Sequence, residues 1–216
     1  MQYLIRSRSQ EGQENFVIMA SLFKRKGTYL EIGAASGWHN SNTLILEKVY
    51  GYSGVGIEIN DQEVQNYNST RSNKCESKDA TKIDYQKISE QHHLPKVIDY
   101  LKIDIDPAPQ SLEALKSVLK SNLEFRFITF EHDSYVSLEN QEIKSSAYQL
   151  LTNAGYLLYK SDVKYRNIYA FEDWYINPKF TNVKVLKMLE KFIGARVIAI
   201  VNTTIYFFIT GKVKLV

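Results

Sequence analysis

Short apolar runs that end on small or acidic residues recur along this chain, each followed by a stretch with apolar positions three and four apart. Such runs read as buried strands and the stretches between them as amphipathic helices. The first strand carries Tyr29, Leu30 and Ile32; a turn of small residues follows, then a helix from Trp38 with Leu44, Ile45 and Val49 on its apolar face. A second strand is predicted over 53–59, a helix over 60–71 and a short third strand over 75–80, with 84–93 helical or irregular. The run 96–106 is nearly continuous in apolar character, as expected of a central parallel strand buried on both faces. A helix over 111–120, a strand over 125–133, a helix over 137–154 closed by Gly155, and strands over 156–162 and 167–175 complete the pattern. Ahead of all this, Phe16, Val17, Met19, Ala20, Leu22 and Phe23 fit a short lid helix. Ser9, or Gln10 with Glu11, would cap it, and Gly27 would close it.

Strand and helix in alternation predict an α/β fold: about seven mostly parallel strands with helices on both faces. Residues 1–178 read as one domain. Residues 179–216 read as an extension packed on it or at a homodimer interface. A terminal helix over 181–192 carries Val183, Leu186, Leu189 and Phe192 on one face. The apolar stretch 197–209 is interrupted by Asn202, Thr203 and Thr204, so it reads as two short strands or a hairpin. It is shorter than the roughly 20 residues a membrane-spanning helix needs.

Composition changes this picture little. Of 216 residues, 44% are hydrophobic and 24% charged, ordinary for a globular protein. The net charge of +3 gives no strong nucleic-acid signal. The one cysteine, Cys75, rules out an internal disulfide and makes a reducing, cytoplasmic setting the expectation. His92 and His93 lack the neighbouring ligands of a metal site.

Candidate chemistry gathers at the strand ends. The first turn reads Glu31, Gly33, Ala34, Ala35, Gly37, and glycines there admit a close backbone approach. Its spacing differs from the dinucleotide pattern and matches the first motif of S-adenosylmethionine (AdoMet) methyltransferases; a tight structural turn would read the same way. Ser41, Asn42 and Thr43 stand where a helix begins and an anion is favoured, although such residues also cap helices. Glu58 ends the second strand 21 positions after Gly37, where an acid holds a ribose diol. Asp104 and Asp106 end the fourth strand, and Glu131, His132 and Asp133 end the fifth.

Taken together the chain resembles the FkbM-type family of AdoMet-dependent methyltransferases. The resemblance spans roughly 9–162. It is carried by Ser9, Gln10, Gly12, Gln13 and Glu14; by Tyr29, Leu30, Glu31, Ile32, Gly33 and Ala34; by Ser41, Asn42 and Thr43; by Leu46 and Glu47; by 54–58; by Arg71; and by 99–104. The family often shows Asp-x-Glu-Gly after the fourth strand, where this chain has Asp104, Ile105, Asp106 and Pro107. The segment from Phe171 onward lies outside the match. The resemblance implies a Rossmann-like class I methyltransferase sheet with AdoMet across the carboxyl ends of the first strands. It implies a cofactor set of Gln13, Glu31, Gly33, Ala34, Ala35, Gly37, Ser41, Asn42, Thr43, Glu58, Ile59 and Asp104, with Asp79 and Ala80 at the adenine. It implies O-methylation of a glycan or other small-molecule hydroxyl.

For that reaction His132 is the expected base, oriented by Asp104 or Asp133. A Mg²⁺ version would use Asp104, Asp106, Glu131 and Asp133 as oxygen ligands. Trp174 and Tyr175 would form a sugar-stacking wall or, more simply, core. A nucleic-acid methyltransferase and a non-catalytic scaffold on the same fold are the alternatives.

Overall fold

The structure, a computed structural model, describes residues 8–188. Helix α1 (Gln13–Ala20) precedes strand β1 (Thr28–Ile32), followed by α2 (Leu44–Lys48), β2 (Ser53–Glu58), α3 (Asp61–Thr70), β3 (Lys74–Ser77), α4 (Tyr85–Gln91), β4 (Val97–Ile103), α5 (Ala108–Leu119), β5 (Glu124–Glu131), α6 (Leu138–Asn153), β6 (Leu157–Tyr165) and β7 (Tyr169–Ile176). The seven strands form one sheet in the order β3-β2-β1-β4-β5-β7-β6. All neighbours are parallel except β7, which runs antiparallel to β5 and β6. The strand order reverses between β1 and β4, so a crevice opens at their carboxyl ends.

Two apolar layers sandwich the sheet. Leu30, Ile32, Ile57, Ile103, Ile128 and Phe130 pack under α5 and α6. On the opposite face Tyr29, Tyr100, Phe127, Trp174 and Ile176 pack under α1 and α2. Because successive strand residues alternate faces, Lys102, Thr129, Glu131 and Glu172 belong to the α1 face. Phe16 of α1 stacks on Trp174 with ring centroids 4.8 Å apart, so Trp174 and Tyr175 are core residues. Among the described residues, no helix is long and apolar enough to cross a membrane.

Several boundaries differ from the sequence pattern. Helix α1 stops at Ala20, and Leu22, Phe23 and Lys26 take left-handed backbone. Gly27 does not close the helix. It is there because a Cβ would lie 2.4 Å from the Tyr52 ring. Gly12 is the N-cap residue, and Ser9 supports the helix start from outside: its Oγ accepts from the amides of Gly12 and Gln13, each at 3.1 Å. Residues 33–43 form a long loop, and helix α2 begins only at Leu44. Helix α5 begins at Ala108 rather than 111, and 85–91 is helical. Residues 183–188 are helical and bury Leu186, whereas Leu189, Phe192 and the apolar stretch 197–209 lie outside the described residues.

Candidate active site

The 33–43 loop is built by packing. Gly33 has φ +75°, and a Cβ there would meet the Asp104 carbonyl oxygen at 1.7 Å. Gly37 has φ +66°, with the Tyr67 ring 2.3 Å from where its Cβ would be. The atoms that exclude side chains at these glycines therefore belong to the protein. The amides of Gly33 and Ala34 donate to the Ile57 carbonyl at 3.0 and 3.2 Å, tying the turn to β2.

Arg71 fixes the far side of the loop from within. Its guanidinium is fully buried and donates to Glu47 (2.8 Å), Gly37 O (2.9 Å), Ser41 Oγ (3.1 Å), Tyr29 OH (3.0 Å) and Thr43 Oγ1 (2.9 Å). Ser41 caps α2 by accepting from Thr43 and Leu44. Thr43 donates to Glu31 at 2.6 Å, and Asn42 lies buried against Tyr100 OH at 3.5 Å. Ser41, Asn42 and Thr43 thus have partners inside the protein.

At the end of β2, Glu58 accepts from the amides of Ala35 (3.0 Å), Ile59 (2.9 Å) and Asn60 (2.9 Å), which joins the first turn to the second strand end. Ile59 is exposed. Asp79 accepts from Thr81 and Lys82, and the Lys82 bond leads the interactions that hold its carboxyl low, at about 2. Ala80 is buried beside it.

A row of charged groups crosses the α1 face below the strand ends. Lys102 donates to Gly33 O at 2.6 Å and pairs with Asp104 at 2.9 Å. Glu31 is fully buried, and its Oε1 has no hydrogen-bond partner. Glu131 and Glu172 stand directly opposite each other on β5 and β7. Glu172 accepts from Trp174 through Oε1. The Gln13 amide lies beside Glu172 and acts as a hydrogen-bond donor to its carboxyl. Burial, followed by the charge of Asp104, raises Glu131 far above the carboxylate range and Glu172 to about 8. Asp133 is raised to about 6 by burial and then by the charges of Asp106 and Asp104.

His132 points the other way. It belongs to the α6 face and is fully buried. Nδ1 accepts from the Ser134 amide at 3.0 Å, which leaves the ring proton on Nε2, 3.4 Å from Asp173 Oδ1. The carboxylate oriented on His132 is therefore Asp173, in place of Asp104 or Asp133, and the ring has no free lone pair. Among the described residues, the three ligand-type groups whose atoms lie within 4.8 Å of one another are His132, Asp162 and Asp173, not the four acids of the strand ends. Lys144 already sits there, 2.5 Å from Asp162 and 3.9 Å from Asp173. A metal on Nε2 would also have to expel the proton that the Ser134 amide keeps there. A cleft of about 600 Å³ opens beside this group, between α6 and the β6–β7 pair.

Sequence reasoning assigned no role to Lys102, although a lone charge inside a continuous apolar strand was a visible signal. It also gave none to Glu172, whose importance depends on β7 running beside β5. Tyr135 and Tyr169 were missed for the same reason: one in the turn after β5 and one at the start of β7, both exposed, their rings meet at 4.9 Å.

No protein-family model and no curated protein matches this sequence. Solved structures do match in fold. A protein assigned as an rRNA methylase from Clostridium thermocellum superposes with a TM-score of 0.55 at 11% identity, over 80% of this chain and 97% of that one. A TehB-like SAM-dependent methyltransferase from Corynebacterium glutamicum gives 0.50 at 10% identity, over 77% and 87%. A protein assigned as a sarcosine dimethylglycine methyltransferase from Galdieria sulphuraria gives 0.50 at 14% identity, over 94% and 78%. The chain has the Rossmann-like fold of these methyltransferases.

Proposed function

We propose that this chain is an AdoMet-dependent O-methyltransferase of the FkbM type, acting on a hydroxyl of a carbohydrate or other small molecule. One observation carries the reading: Glu58 is bonded to the Ala35 amide, which holds a ribose-binding carboxylate against the first turn at the reversal of strand order. The residues fit the cofactor. Glu58 would hold the ribose diol, and Asp79 and Ala80 the adenine. The unpartnered Glu31 Oε1 suits an ammonium group, which would relieve a buried orphan costing about 1–3 kcal/mol. Gln13, Gly33, Ala34, Ala35, Gly37, Ser41, Asn42, Thr43, Ile59 and Asp104 shape the remainder of the set. When bound, AdoMet supplies a methyl group on a sulfonium, open to in-line attack by an acceptor oxygen.

Asp133 is the base in this reading. It lies two residues past β5 beside Asp104 and Asp106, half-buried, and its raised proton affinity suits deprotonation near neutral pH. Asp104 sits next to it and keeps its own carboxylate on Lys102. His132 is a positioning residue: its Nδ1 accepts from the Ser134 amide and its ring faces Asp173, which holds the turn that presents Asp133. A cytoplasmic homodimer completes the proposal. The test is transfer of labelled methyl from AdoMet to a panel of sugars and hydroxylated small molecules, with and without Mg²⁺, for wild type, Asp133→Asn and His132→Ala. Transfer that Asp133→Asn abolishes supports the reading; transfer only to RNA or DNA overturns it.

A further inference from the structure

We propose that the turns at the carboxyl end of the sheet dock this protein on a lipid bilayer. Among the described residues, eleven large apolar side chains are exposed, and seven of them stand in or beside these turns. Ile59, after β2, belongs to the proposed cofactor set. The other six have no role in the site: Trp38 after β1, Tyr135, Val136 and Leu138 after β5, and Ile168 and Tyr169 where β6 turns into β7. The two turns last named lie at the same end because β7 runs antiparallel to both β5 and β6. The Tyr135 and Tyr169 rings, 4.9 Å apart, join them into one surface. Apolar groups gathered in this way mark a contact with a partner or a membrane.

Charge and position decide between these. The 164–169 turn carries two exposed cations, Lys164 and Arg166, and no acid. The Arg166 guanidinium lies over the Tyr165 ring, and Arg8 lies over the Trp38 ring on the β1 side, each 5.0 Å from the ring centroid. Amphipathic rings with cations beside them suit the headgroup level of a bilayer with anionic lipid. The surface also borders the proposed base: the Val136 amide donates to the Asp133 carbonyl at 2.9 Å. A protein partner or a second copy seated there would cover the crevice through which an acceptor reaches Asp133. A bilayer covers the same side chains and can present a lipid-borne acceptor to the crevice. Separate turn tips enter a fluid interface without the matched shape that a protein face requires.

The probes are vesicles of phosphatidylcholine alone and of phosphatidylcholine with phosphatidylglycerol at three to one, co-sedimented with the full chain at low and at high salt. We expect wild type to bind both, the anionic vesicles more tightly, with high salt removing the difference. Val136→Ser combined with Ile168→Ser, both at exposed sites, should weaken binding to either vesicle about tenfold and leave the unfolding midpoint unchanged. Arg166→Gln should weaken binding to the anionic vesicles alone, about fivefold. Wild type that sediments with neither vesicle, or a double variant that binds as wild type does, overturns the proposal. A concentration-dependent dimer that the double variant dissolves, without vesicle binding, assigns the surface to a second copy and overturns it as well. Vesicle binding is read without AdoMet, so a failure of the methyltransferase reading is scored separately from a failure of docking.

Discussion

At the scale of single residues, Asp133 and Arg71 make opposite demands on charge. Asp133 must be ionised to accept a proton, and its pKa is raised to about 6. kcat/KM is therefore predicted to rise with pH through about 6 and to level off above it. Asp133→Asn should lower kcat by about 10²–10⁴-fold and remove that limb. His132→Ala should lower kcat by less and keep the limb, since it disturbs only the presentation of Asp133. A pH–rate profile of the three proteins distinguishes these outcomes. Arg71 must stay paired: Glu47 is buried against it, and burial opposes the low pKa that the guanidinium gives that carboxyl. Arg71→Ala should cost about 3–5 kcal/mol of folding stability, measured by urea denaturation, because a buried carboxylate is left uncompensated. Arg71→Lys should recover little, since one ammonium cannot reach five acceptors.

At the scale of elements, two devices set the crevice. Ser9 supports the start of α1 through two amides and donates to Glu14. Ser9→Ala should cost about 1 kcal/mol in thermal or urea unfolding and loosen Gln13 at the start of the helix. Gly33→Ala should fail to fold or lose most of its stability, because its Cβ would overlap the Asp104 carbonyl and its φ is left-handed. The strands were legible from the apolar runs, and so were the acids that end β2, β4 and β5. The faces those acids occupy were not used. Period-two alternation along β5 puts Glu131 on the α1 side and His132 on the α6 side, so neighbours in sequence serve different layers. The five bonds of Arg71 were invisible, because they join 29, 37, 41, 43 and 47 only once the loop is folded. The length of helix α2 was misjudged because Ser, Asn and Thr in the 33–43 loop resemble a helix start whose first turn arrives late.

At the scale of the whole molecule, the buried acids tie stability to pH. Glu172 titrates near 4.5 when unfolded and at about 8 when folded. Between these values the folded state holds a proton that the unfolded state has lost. Unfolding free energy therefore falls as pH rises through this window. Glu131 adds to the same slope. Glu172→Gln should flatten it, and the variant should be the more stable protein above pH 8, as read from urea midpoints across pH.

The most direct measurement is calorimetric titration of AdoMet and its demethylated product into wild type and Glu58→Ala. The account predicts saturable binding of both ligands to wild type and at least tenfold weaker binding to the variant, with the variant's unfolding midpoint little changed. An absence of binding to wild type, or equal affinity in Glu58→Ala, would contradict it.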